Sequence, residues 1–148
     1  MKRVLMIFMA CFWMLLSANA QSGLNIEPLF AGKIIPQQRM VETRVKGKML
    51  SKYQLTFFRS VRFKANNKQE INRVHDLIEL DIKKNPGFAY GENYSSKKSN
   101  SKETFMLQLP KQDNHNRSLC YKRNNEEITV IYMEGTLNSL ETLRELIK

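Results

Sequence analysis

Residues 126–148 read EEITVIYMEGTLNSLETLRELIK, and the change of period inside this stretch decides the fold class. From Ile128 to Met133 apolar residues fall on both alternating sets, Ile128, Val130 and Tyr132 against Thr129, Ile131 and Met133. A strand covered on both sides reads this way, because neither pleated face meets water. Glu134-Gly135 then frees the chain to turn, and Thr136 or Asn138 caps a helix whose Leu137, Leu140, Leu143, Leu146 and Ile147 face the sheet. Packing accounts for nearly all of these residues. Glu134 is left as a carboxylate at a strand end, and one carboxylate makes no mechanism.

Upstream of that strand the chain reads as a meander. Thr104–Leu109 points Phe105, Leu107 and Leu109 inward, Pro110–Asn116 turns the chain, and Arg117–Arg123 sets Leu119 and Tyr121 against Ser118, Cys120 and Lys122. Asn124-Asn125 is expected to make a tight hairpin into the final strand. The stretch SSKKSNSK at 95–102 has no apolar anchor and reads as a loop. Before it, Asn66 and Asn67 cap a helix from Lys68 to Lys84 whose buried stripe is Ile71, Val74, Leu77, Ile78 and Ile82. Pro86-Gly87 is expected to stop it. His75 lies beside the stripe as a packing residue.

Two strands precede that helix. In the first, Val41, Thr43 and Val45 face one way and Glu42, Arg44 and Lys46 the other, the pattern of a half-buried strand ending at Gly47. In the second, Tyr53, Leu55, Phe57, Val61 and Phe63 share one face. Two residues break its alternation: Phe58 lies on the polar face and Arg59 on the apolar one. Either a local bulge shifts the register or Arg59 is buried with a carboxylate. The sum is an α+β domain, a mainly antiparallel sheet of about five or six strands with two main helices packed on it.

The N-terminus reads as an address. Lys2 and Arg3 precede an apolar run from Val4 to Leu16, and Ala18-Asn19-Ala20 is a small-x-small cleavage pattern. Thirteen apolar residues fall short of the roughly 20 a spanning helix needs, so a cleaved signal peptide at 1–20 is expected, with no transmembrane anchor after cleavage. Residues 21–39 then form a leader, and 40–148 form a single domain. The protein is expected to be exported, to the periplasm or beyond the cell. Cys11 is followed by further apolar residues and does not fit a lipidation site, so Cys120 is the one cysteine of the processed chain and no internal disulfide can form. It reads as a small buried hydrophobe.

Charge is the most informative feature. The whole chain has 24 Lys and Arg against 14 Asp and Glu, and residues 39–64 hold eight of those cations against Glu42 alone. Export makes nucleic acid an unsuitable partner, whereas lipid headgroups, lipopolysaccharide phosphates and acidic glycans would be drawn to such a patch. Arg44, Lys46, Phe58, Arg59, Arg62 and Lys64 are therefore the candidate binding residues, on what reads as a basic sheet face, with an anionic envelope component or acidic protein as partner.

Catalysis has less behind it. His75, His115 and Cys120 are too scattered for zinc, no metal or cofactor motif occurs, and Cys120 with His115 lacks an orienting third group. Paired carboxylates from distant strands, as in a small hydrolase of envelope or dietary glycans, form the alternative. A second copy of the chain could also cover the apolar strand at 128–133.

The order of these pieces, with VETRVKGKML, YQLTFFRSVRF, an amphipathic helix, a meander and EITVIYMEGTLNSLETLREL, resembles small exported proteins of Bacteroidota that form a domain family of unknown function. The similarity spans roughly residues 24–148 and implies an envelope setting and an α+β fold, with no catalytic residues to transfer.

Overall fold

The structure, a computed structural model, describes residues 23–85, the backbone of 89–92, and residues 101–136. The expected signal peptide, the Pro86-Gly87 stop, most of the 95–102 loop and the final helix lie outside the described residues. Strands β1 (Met40–Lys46), β2 (Leu55–Lys64), β3 (Ala89–Glu92), β4 (Lys102–Gln112), β5 (His115–Asn124) and β6 (Glu127–Gly135) form one antiparallel sheet in the order β1-β2-β6-β5-β4-β3. A short helix α1 (Glu27–Phe30) and the long helix α2 (Lys68–Lys84) pack on one side. The fold is α+β, as the sequence reading has it.

The doubly apolar strand sits where its pattern requires. β6 lies between β2 and β5, with Ile128, Val130 and Tyr132 buried in the core under the helices. Its opposite set, Met133 and the half-buried Ile131, joins a second cluster with Leu50, Leu55, Met106 and Cys120. On this side Met133 is buried within one chain, and Ile131 is left half-buried. Helix α2 spans the residues its periodicity indicates. The Asn67 side chain accepts from the Glu70 N–H at 3.0 Å, and the Glu70 carboxylate returns to the Asn66 N–H at 2.9 Å, so the first turn is capped from both ends.

The turns correct several details. β4 and β5 run further than expected and meet at Asp113-Asn114, both left-handed with φ of 51° and 63°, which is the type I′ geometry that matches strand twist. Pro110 falls in β4 at a register shift between Leu109 and Gln112, where its missing N–H breaks no regular ladder. The second hairpin turns on Asn125, at φ 57°, with Asn124 pairing Glu127. Gly135 stays in the strand instead of turning the chain. A Cβ there would overlap the Gln54 carbonyl and lie 2.7 Å from Leu55 Cα, so glycine is needed for close approach.

Strand β1 is also more exposed than its alternation suggests. Among the described residues it is an edge strand with only β2 beside it, and Val41 is 58% exposed. In β2, a register shift between Leu55 and Phe57 sends Leu55 to the second cluster, away from Phe57, Val61 and Phe63. Tyr53 is not in the strand at all; it ends a 3-10 turn, Lys48–Tyr53, that precedes β2.

Candidate functional site

The β1–β2 pairing fixes where the candidate cations go. Arg44 lies opposite Arg59, Lys46 opposite Phe57, Val41 opposite Arg62 and Val45 opposite Phe58. Directly paired residues share a face of the pleat. Arg44, Lys46 and Arg59 therefore lie on the helix-bearing side, and Phe58, Arg62 and Lys64 on the other. The expected single basic face is corrected to a basic edge with cations on both sides. Alternation within each strand cannot show this, because the pairing register sets even positions of β1 against odd positions of β2, and only the pairing of the two strands fixes that register.

Arg59 resolves as a paired arginine. The bulge lies nearer the start of β2, so Arg59 keeps its place on the apolar side, its side chain only 12% exposed. Its Nε donates to Glu42 Oε1 at 2.9 Å and its Nη2 donates to the Phe30 carbonyl at 3.0 Å, with the guanidinium 5.2 Å from the Phe30 ring centroid. It ties β2 to β1 and to the segment before them. Phe58 is half-buried against the second cluster and cannot reach far into solvent. Arg62 forms an exposed pair with Glu127 at 3.3 Å, a contact of small energetic weight.

The acids bordering the basic stretch are both occupied. No Asp or Glu occurs between Glu42 and Glu70. Glu42 holds Arg59, and Glu70 accepts from both terminal nitrogens of Arg39 at 2.6 and 2.8 Å. The Arg39 hydrogen bond holds the Glu70 carboxyl below its usual range. Among the described residues no carboxylate lies within salt-bridge distance of Arg44, Lys46, Lys48, Lys52 or Lys64. Arg44 rests its guanidinium 5.7 Å from the Phe57 ring centroid, and all five are exposed.

The 3-10 turn carries residues the sequence reading did not single out. Leu50 points into the second cluster, while Met49 is 79% exposed and Tyr53 42% exposed, among Lys46, Lys48 and Lys52. The signal was present as KGKMLSKY, a glycine followed by closely spaced lysines with apolar residues between them.

Two polar clusters lie beneath the helix-bearing face. His75 and Glu103 are fully buried, with His75 Nε2 4.0 Å from Glu103 Oε1, and the Tyr121 hydroxyl donates to Glu103 Oε1 at 3.2 Å. Burial and the neighbouring Glu103 push the Tyr121 hydroxyl's pKa up. With both side chains closed to solvent, no substrate reaches this group; it orders the helix against the sheet. Glu103 was missed although its position, alternating with Phe105 and Leu107, put it on the apolar side. The other cluster centres on Tyr132, whose hydroxyl donates to Glu134 Oε1 at 2.6 Å and accepts from Arg117 Nε at 2.9 Å. Glu134, expected as an isolated strand-end carboxylate, is thereby occupied.

Among the described residues, Cys120 and His115, weighed above as a nucleophilic pair, are not brought together. Cys120 is buried and burial pushes its thiol up to about 12, far from a thiolate nucleophile. His115 and Cys120 are five positions apart on one regular strand, which places them on opposite faces and about 16 Å apart. Among the described residues no group of three or more His, Cys, Asp or Glu is placed to hold a metal ion. An open depression of about 420 Å³ is lined by Ala31, Gly32, Lys33, Ile34, Pro36, Gln37 and Gln38, with no carboxylate among them.

The chain belongs to a family of unknown function (DUF6108), whose model matches residues 13–147. No curated protein and no solved structure matches it. Among the described residues no helix is long and apolar enough to cross a membrane.

Proposed function

We propose that this member of the family is a non-catalytic binding or accessory module, exported to a bacterial envelope, that contacts an anionic envelope component or acidic partner through the basic edge of β1 and β2. Export rests on the signal-like residues 1–20, and the envelope setting on the resemblance to exported Bacteroidota proteins. The observation that carries the binding role is the use of both flanking acids, Glu42 and Glu70, on Arg59 and Arg39. Arg44, Lys46, Lys48, Lys52 and Lys64 keep their charge available to an outside anion, and such a concentration steers association over distances near the Debye length. Arg59 serves the reading as a structural tie for the edge, and Phe58 as a packed residue beneath it.

The test is capture from a native envelope fraction at low and high salt, with wild type compared with R44E/K46E/R62E/K64E. Binding at low salt that is released at high salt and lost in the variant supports the proposal. Equal capture by both proteins, with the variant's circular dichroism unchanged, overturns it.

A further inference from the structure

We propose that the 3-10 turn Lys48–Tyr53 is a tip that docks on an anionic lipid bilayer, its lysines meeting headgroup phosphates while Met49 and Tyr53 enter the interfacial layer. The inference rests on the basic-edge reading and gives it a ligand class and a point of contact.

The turn is held firmly, so what it exposes is presented rather than merely loose. Gly47 at φ 92° and Gln54 at φ 58° bracket it in left-handed backbone, and the Ser51 hydroxyl donates to the Lys48 carbonyl at 2.7 Å. Leu50 is 7% exposed and anchors the turn among Leu55, Met133 and Val45. With Leu50 facing in, Met49 faces out, and it is the most exposed of the large apolar side chains described. Tyr53, at the end of the same turn, is 42% exposed, with Lys52 Nζ 4.8 Å from its ring centroid.

The composition of this tip separates a bilayer from a soluble polyanion. A polyanion needs the charges and gains nothing from an exposed methionine. A bilayer interface uses both: lysines beside an anionic surface are attracted to it, and a tyrosine ring suits the headgroup level with its apolar body inward and hydroxyl outward. The turn joins the end of β1 to the start of β2 with Lys48, Met49, Lys52 and Tyr53 all exposed, which suits a flat soft surface rather than a small anion needing enclosure. Two apolar side chains provide modest, reversible insertion, which makes the lysines a requirement.

A single-tryptophan reporter tests this directly. The chain's one tryptophan is Trp13, inside the expected signal peptide, so the exported and processed protein, its N-terminus verified by mass spectrometry, carries none. Met49→Trp places one at the tip, and Leu80→Trp places one at an exposed position of α2 as a control. Each is titrated with vesicles of phosphatidylglycerol and phosphatidylethanolamine, and with vesicles of phosphatidylcholine alone. The expected result is a blue shift and quenching by brominated lipid for M49W on the anionic vesicles only, with L80W unchanged. K48E/K52E should weaken partitioning by about tenfold or more. M49S/Y53S should weaken it by about tenfold through lost apolar burial alone. If the envelope fraction binds by charge but M49W does not shift and M49S/Y53S partitions like wild type, the bilayer proposal is overturned and the basic edge stands. If neither envelope fraction nor vesicles bind, both fall.

Discussion

Arg59 and Glu42 form a 2.9 Å ion pair between neighbouring strands, and the same guanidinium caps the Phe30 carbonyl at the end of α1. One side chain therefore joins the edge strand, the second strand and the N-terminal segment. Glu42→Gln leaves a mostly buried guanidinium without its counter-charge and is expected to cost about 1–3 kcal/mol. Arg59→Met in that background should recover part of the loss, because removing both charges leaves none uncompensated. Urea unfolding of the two single variants and the double variant measures the coupling; additive effects would show that the pair does not hold the edge.

Asp81, fully buried near the end of α2, accepts from the Asn25 N–H at 2.7 Å, the Asn25 side-chain amide at 3.1 Å and the Ile26 N–H at 3.0 Å. Asp81→Ala strands the Ile26 N–H inside the core, and a loss of about 2–3 kcal/mol is expected. The segment before β1 should detach first. Hydrogen exchange at Ile26 to Phe30 should rise well before exchange at Val130 or Leu119. Uniform exchange across all of them would contradict this order.

Two carboxylates give pH dependences of opposite sign. Glu70 is held below its usual value of 4.5 first by the Arg39 hydrogen bond, so its contribution is fully present above 4.5 and is lost as pH falls through the lower folded value. Asp81 is raised above its usual 3.8 first by burial, which outweighs its three donors, so its contribution is fully present below 3.8 and is lost as pH rises through the higher folded value. The Tm gap between wild type and Glu70→Gln should hold steady down to about pH 4.5 and then shrink. The gap between wild type and Asp81→Ala should widen as pH drops from neutral. Parallel trends would refute the assignments.

Cys120, buried against Met106 and Met133, should resist thiol reagents in the native state. Modification of the processed protein by Ellman's reagent is expected only at the rate of unfolding, and Cys120→Ser should cost about 1–3 kcal/mol as a buried hydroxyl replaces a small apolar group. Immediate native-state labelling would place Cys120 at the surface.

The sequence by itself determined the periods, and with them most of the elements. Helix α2 and its Asn67 cap, the meander, and the central position of β6 follow from local preference and from which residues must avoid water, both properties of neighbours along the chain. Even Arg59 was visible as a charge on an apolar face, although the choice between a bulge and a carboxylate partner was not. Tertiary structure decided the partners. Glu42 is 17 residues from Arg59, Asp81 is 55 from Ile26, and Glu103 meets His75 only because α2 crosses β4 and β5. It also decided the shape of the basic region, since the β1–β2 register sets even positions of one strand against odd positions of the other, and a bulge after Leu55 moves Leu55 off the face its spacing suggests while Tyr53 falls in the turn before the strand. Periodicity reports which side of its own element a residue occupies; the energy of a charge or a close-packed glycine depends on what another element brings to that side.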